Sequence, residues 1–248
     1  MPGIFISEGM RLRITDFTLR IGKDGSVDSS MQWQVALDVW PMWLDVAIDH
    51  AVRAVEARSE LAKEFGGADG EIEGDLQARL LSEEAKAGMV AIAAAAFALD
   101  NFADVIREFA PDIDAAKAAW RKAGTARHKQ ISETIRRTFK ISNKGARTLR
   151  PIVGEVFRFR DWAVHPSGSF RQPLQHDLID VGVEWRFVAF RADNAVNAVR
   201  AAISVLSQCV SSPRLDNEKL VEWCNAAKPR VDPRRERAET LLPNPGSD

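Results

Sequence analysis

Cysteine is scarce in this chain. Cys209 and Cys224 are the only two in 248 residues. That is too few for a disulfide framework, and neither has the spaced His or Cys partners of a zinc site. Glycine-rich phosphate loops, a serine nucleophile elbow and His-x-x-x-His metal pairs are absent. Residues Met1 to Arg20 carry a charge every few positions, so no secretory apolar region stands there. The most apolar run, Ala87 to Leu99, is short for a bilayer span and mostly alanine. Net charge is also lacking, at −1, which excludes a polybasic protein but not a local basic surface. With 46% apolar and 28% charged residues, the chain is globular rather than disordered. One large domain, or one domain with appendages, is expected, in a reducing compartment, hence cytoplasmic and away from membranes.

What the chain does have is badly mixed charge. Residues 38–114 hold 17 acidic against 6 basic side chains, and residues 117–160 hold 13 basic against 2 acidic. A segment this basic in a neutral protein suits a polyanion. It equally suits packing against the acidic segment, within or between subunits.

Residues 1–40 read as β. Leu12 and Ile14 alternate with polar residues, and Phe17, Leu19 and Ile21 alternate in the opposite phase, which predicts a bulge near Thr15–Asp16. Gly22 to Ser26 is a turn, and Trp33, Val35, Leu37 and Val39 form a second strand. Helical spacing then runs from Pro41 to about Phe65, stopped by the glycines of 66–70. A long helix is expected over 76–109 with Asp75 as N-cap, a short one from Pro111 to Ala123 closed by Gly124, and a basic amphipathic one over 125–140. Ser142 or Asn143 caps the next, interrupted or restarted at Pro151 and ending at His165. Residues 166–182 read as loop and Val183 to Phe190 as a strand. Asp193 or Asn194 caps a helix to about Ser211, and a last one spans 217–227. The tail 228–248 reads as charged and without a core. The domain scheme is therefore a β region (1–40), a helical domain (41–227) and a flexible tail, and the fold class is mainly α.

One motif carries chemistry, Arg160-Asp161-Trp-Ala-Val-His165-Pro. Arg160 and His165 lie about 140° apart on an ideal helix, whereas Asp161 and His165, four apart, share a face. Pro166 disfavours helical backbone at His165, so the helix should end there. A histidine in a last helical turn can reach a neighbouring arginine and solvent, and the helix C-terminus favours its protonated form. An arginine that forks onto phosphate beside a histidine that moves a proton near neutral pH suffices to cleave RNA without a metal. In this composition Arg-x4-His should occur by chance about 0.4 times, and about 0.05 times once Asn, Asp or His must follow the arginine. Arg171 to His176 has the same spacing, but Gln172 and Pro173 inside it argue against a helical motif.

The Arg160–Asp161–His165 pattern resembles the signature of the HEPN superfamily, in which an arginine, a polar residue and a histidine stand near the end of the third helix of a small bundle. A four-helix core drawn as 76–109, 125–141, 144–165 and 192–211 (about 76–212) fits that resemblance, with a short strand before the last helix. The N-terminal β region lies outside it. Many such proteins are ribonucleases. The resemblance implies a homodimer with two Arg/His pairs in one cleft, the RNA 2′-OH as nucleophile, His165 as general base or acid, and Arg160 stabilising charge on the phosphate. Asp161 would orient His165 or Arg160. It implies no metal or cofactor, and a toxin or antiviral role with a neutralising or regulatory partner protein. Arg127, Lys129, Arg136, Arg137, Lys140, Lys144, Arg147, Arg150 and Arg158 would hold RNA backbone. A non-catalytic helical dimer binding RNA or a protein is the alternative. A DNA-binding regulator acting through 125–141 is a third, without a helix-turn-helix register. His50 and His128 read as structural or surface residues, and Asp100 and Asn101 as solvent-facing. Trp33, Trp40 and Trp43 are expected to pack the β region on its helix.

Overall fold

The opposed phases of alternation along residues 12–21 meet on one face of a hairpin. The computed structural model describes residues 7–65, 74–165, 170–179 and 181–243. It divides into two compact units, 1–39 and 40–248. In the first, β1 (Met10–Ile21) pairs antiparallel with β2 (Val27–Leu37), and the register shifts between Ile14 and Asp16. The extra residue, Thr15, restores the phase, so Ile14 faces Trp33 and Phe17 faces Met31 on the same side. In the turn, Gly25 takes a positive φ of 82° and its N–H donates to the Gly22 carbonyl. Asp24 accepts from the Ser26 hydroxyl and N–H.

The second unit is helical. Among the described residues its helices are α1 (Trp40–Phe65), α2 (Gly74–Ile106, extended by a 3-10 turn to Phe109), α3 (Ile113–Ala123), α4 (Arg127–Thr138), α5 (Asn143–Val164), α6 (Trp185–Ala189), α7 (Ala192–Ser211) and α8 (Glu218–Leu241). A two-residue ladder pairs β3 (Leu174–Gln175) with β4 (Gly182–Val183). α2 is central, contacting α1, α4, α5, α6 and α7, and α5 contacts α4 and α7. Its alanines permit this close approach. At Gly88 an added Cβ would stand 1.9 Å from the Phe190 carbonyl oxygen, so only glycine lets α2 pass the end of α6. By length and composition 74–109 could cross a membrane, but 56% of its most apolar window is buried in this bundle. The short run 87–99 is thus part of a longer apolar core helix. Trp40 packs edge-on against Phe102 and Trp43 against Phe97, within the helical unit, whereas Trp33 stays exposed on the hairpin.

Four expectations are corrected. The segment 183–190 is not a strand; only 182–183 pair, and α6 follows, because Trp185, Ala189 and Phe190 fall at helical spacing and are buried together. Glu184 caps it by accepting from the Arg186 N–H. The tail is not a tail as far as Leu241. α8 continues through Pro229 and Pro233, burying Leu220, Cys224, Ala227, Val231 and Ala238, while Arg234 and Arg237 pair with Asp45 and Asp49 of α1. Pro151 does not interrupt α5, whose buried residues Leu149, Val153 and Val156 hold both halves on the core. Neither Asp193 nor Asn194 caps α7: the helix begins at Ala192, whose N–H donates to the buried Glu84 carboxylate. Ser142 caps α5 as expected, accepting from the Gly145 N–H at 3.3 Å. The glycine stop at 66–70 lies outside the described residues.

Candidate active site at the end of helix α5

α5 buries Ala146, Leu149, Val153, Val156 and Phe157 on one stripe. Arg160, three and four residues past Phe157 and Val156, therefore sits at the edge of that stripe with its side chain 21% exposed. Its guanidinium carbon lies 4.8 Å from the centre of the Phe157 ring, and Nη2 lies 2.8 Å from Asp161 Oδ1. Nε is buried without a hydrogen-bond partner. The aromatic ring and the carboxylate together fix the plane of the fork.

His165 follows as the helix C-cap, with φ −114° and ψ 88°, and its N–H donates to the Asp161 carbonyl at 2.9 Å. Its backbone has left the helical region, as the following proline requires. The side chain is exposed. Asp161 thus serves both neighbours differently, its carboxylate on Arg160 and its main-chain oxygen on His165.

Around this end lies an aromatic cluster that spacing did not single out. Phe159 and Trp162 touch edge to face at 5.0 Å, and Trp162 meets Trp185 at 5.5 Å. Arg158 lies over both Phe159 and Trp162, and Arg171 and Arg186 lie over Trp185. A Phe-x-x-Trp pair overlapping the start of the motif was the available signal; Trp185 had none, being assigned to a strand.

The nine expected RNA contacts divide. Arg127 donates to Asp100 and Asp104 of the acidic segment. Arg136, Arg137 and Arg150 converge on Glu133, and Arg136 with Arg137 holds that carboxyl down at about 2 against the opposing effect of burial. Lys140 pairs with Asp216, and Arg158 with Glu155. Lys129, Lys144 and Arg147 make no ion pair among the described residues. Asp100 is accordingly an ion-pair partner rather than a bare surface carboxylate, and Asn101 buries an unpartnered Oδ1.

The remaining histidines stand apart from the motif. Burial lowers the pKa of His50, with Arg53 adding and Asp49 opposing. His128 is half-buried on α4. His176 is buried, its Nδ1 accepting from the Leu178 N–H, and burial lowers its pKa as well. It adjoins an ionic cluster that pattern reading missed: Arg58 pairs with Asp177 and faces the buried Glu84 and Asp193, while Arg191 reaches Asp177 and Asp193. Burial pushes the Glu84 carboxyl up. These groups come from separated stretches of chain, so no local spacing announces them; they tie the β3–β4 connection to α1, α2 and α7. Burial raises both thiols, Cys224 to about 11, so neither is a nucleophile at neutral pH. Among the described residues no group of three His, Cys, Asp or Glu is placed to hold a metal ion. An apolar groove of about 470 Å³ between α5 and α7, lined by Ile152, Val156, Phe159 and Ala198, runs beside the motif without including Arg160 or His165.

No protein-family model matches the chain, and neither a curated protein nor a solved structure matches it.

Proposed function

We propose that this chain is a metal-independent endoribonuclease of the HEPN type, acting at the α5 terminus. The observation that carries the reading is that an oriented arginine and an exposed histidine stand at one helix end. Arg160 is held between Phe157 and Asp161, and His165 stands free of the helix. In a homodimer two such ends would share one cleft. His165 takes the proton of an RNA 2′-OH, the 2′-oxygen attacks phosphorus, and the bond to the 5′-oxygen breaks as that oxygen receives a proton from the second histidine. Arg160 forks onto the charge that builds on the phosphate oxygens. Lys129, Lys144 and Arg147 remain available to phosphate, and the aromatic cluster at the α5 terminus is an apolar floor.

The reading extends to a cytoplasmic toxin or antiviral effector held in check by a partner protein. The second reading, a non-catalytic helical dimer that binds RNA or a protein, is favoured by one observation: six of the nine basic side chains already have acidic partners within the fold. Incubation of the protein with RNA in EDTA separates the two. Fragments ending in a 2′,3′-cyclic phosphate support the nuclease; RNA bound but intact supports the binding dimer.

A further inference from the structure

Within the hairpin unit, one whole face of the sheet is apolar. The register stacks Leu12 on Val35, Ile14 on Trp33 and Phe17 on Met31, and continues to Ile21 beside Val27. Ser29 is the one polar side chain on that side; the charges of the strands, such as Arg13, Arg20 and Asp28, lie on the other. Nine large apolar side chains between Leu12 and Leu37 are 40–72% exposed. At roughly 150–250 Å² for a large side chain, they leave on the order of 800 Å² of apolar surface in water. Monomers rarely expose a patch much above about 600 Å², and one partner of a standard interface contributes about 800 Å². A two-stranded hairpin alone is also marginally stable in water, and needs a further layer on its apolar face.

We propose that the hairpin is a self-association element, in which two copies of this chain stack their apolar hairpin faces into a four-stranded sandwich. A second copy is the occupant that the face itself specifies. The surface carries no charge to be matched by a different partner, and a two-fold axis sets the same face against itself. Its area is what each half of a stable dimer supplies. Long side chains such as Phe17 and Trp33 near the middle then fill the space of about 10 Å between packed sheets. This goes beyond the ribonuclease reading and does not rest on it, since the sandwich joins two chains whether or not α5 acts on RNA.

Sedimentation equilibrium of the full chain at micromolar concentration tests it. The wild type is expected to be a dimer. Phe17→Glu and Trp33→Glu each place a carboxylate in the dry face and are expected to weaken dimerisation on the order of 100-fold or more, with the helical far-UV circular dichroism unchanged. Ser29→Cys is expected to cross-link between chains with a short bismaleimide, the native Cys209 and Cys224 being buried. If the charged variants lose their helical signal, this cross-link decides. A monomeric wild type or absence of the Ser29→Cys cross-link overturns the proposal, and so do dimers that survive both charged variants with undiminished affinity, which would be held through the helical unit as the nuclease reading expects. So does a monomer that binds phosphatidylcholine vesicles through this face, which would make lipid the occupant.

Discussion

Arg160 is held by two neighbours that contribute different things. Phe157 offers a flat face that a planar guanidinium can stack on, and Asp161 supplies a carboxylate that orients one edge of the fork. Lysine would keep the charge but has neither the plane nor the two parallel donors. Arg160→Lys and Arg160→Ala are therefore both expected to lower kcat for RNA cleavage by about 10²–10³, with unchanged circular dichroism. Asp161→Asn keeps a hydrogen-bond acceptor and the backbone contact to His165, so a smaller loss, on the order of 10-fold, is expected. A lysine variant with wild-type kcat would remove the fork from the mechanism.

Glu133 is a second residue with a measurable signature. Arg136 and Arg137 hold its carboxyl near 2, below its ordinary value. A carboxylate depressed in the folded state stabilises the fold above its unfolded pKa, and that contribution is lost as pH falls from about 4.5 toward 2. The urea midpoint of the wild type should drop through this window. Glu133→Gln should show a shallower drop there, because its partners no longer depend on a proton. Identical acid profiles for both would mean that the arginines pair elsewhere in solution.

At the scale of elements, the close approaches of α2 decide the packing. Gly88→Ala puts a methyl against the Phe190 backbone carbonyl, which cannot move aside as a side-chain end can. Despite the gain in helix propensity, a net destabilisation of about 1–3 kcal/mol is expected by chemical denaturation. A neutral or stabilising effect would mean that α6 is not seated there.

The same scale shows what was legible in the sequence. Periodicity located the hairpin, its bulge and α1, α2, α4, α5 and α7, because each helix buries a continuous stripe and the hairpin gathers its apolar side chains on one face. It failed at α6, where bulky aromatic and β-branched residues imitate a strand over a segment only one helical turn long. It failed again in the second half of α8, past Ala227, where two prolines and many charges conceal Val231 and Ala238, which continue the buried side of Leu220, Cys224 and Ala227. The packing of α8 on its neighbours and its ion pairs to α1 outweigh the missing proline hydrogen bonds, and neither is visible locally. Within the site, Arg160, Asp161 and His165 were legible from spacing, and the end of the helix from Pro166. The partners of Arg58, Glu84 and His176 were not, since only the tertiary fold brings them together.

For the whole molecule, the segregation of acidic and basic segments is partly cancelled by the fold. Arg127 does meet the acidic segment, but Glu133, Glu155 and Asp216 pair with five of the other eight side chains expected to hold RNA. The proposed RNA contact is thus narrower than the composition suggests, with Lys129, Lys144 and Arg147 as the expected contacts that make no ion pair among the described residues. If each neutralises one phosphate of a single strand, replacing all three by alanine should make the slope of log K against log salt shallower by about 2. An unchanged slope would place the phosphate contacts elsewhere.

The central claim concerns the helix end. Wild type and His165→Ala should be incubated side by side with single-stranded RNA in EDTA, and the 3′ ends of the fragments analysed. The wild type is expected to cleave and to leave 2′,3′-cyclic phosphates, because the 2′-OH is the nucleophile and no metal-bound water is needed. His165→Ala is expected to fold as the wild type does, since the side chain it removes is exposed, and to leave the RNA intact. Cleavage by His165→Ala at the wild-type rate, or wild-type activity that disappears with the chelator, would contradict the account.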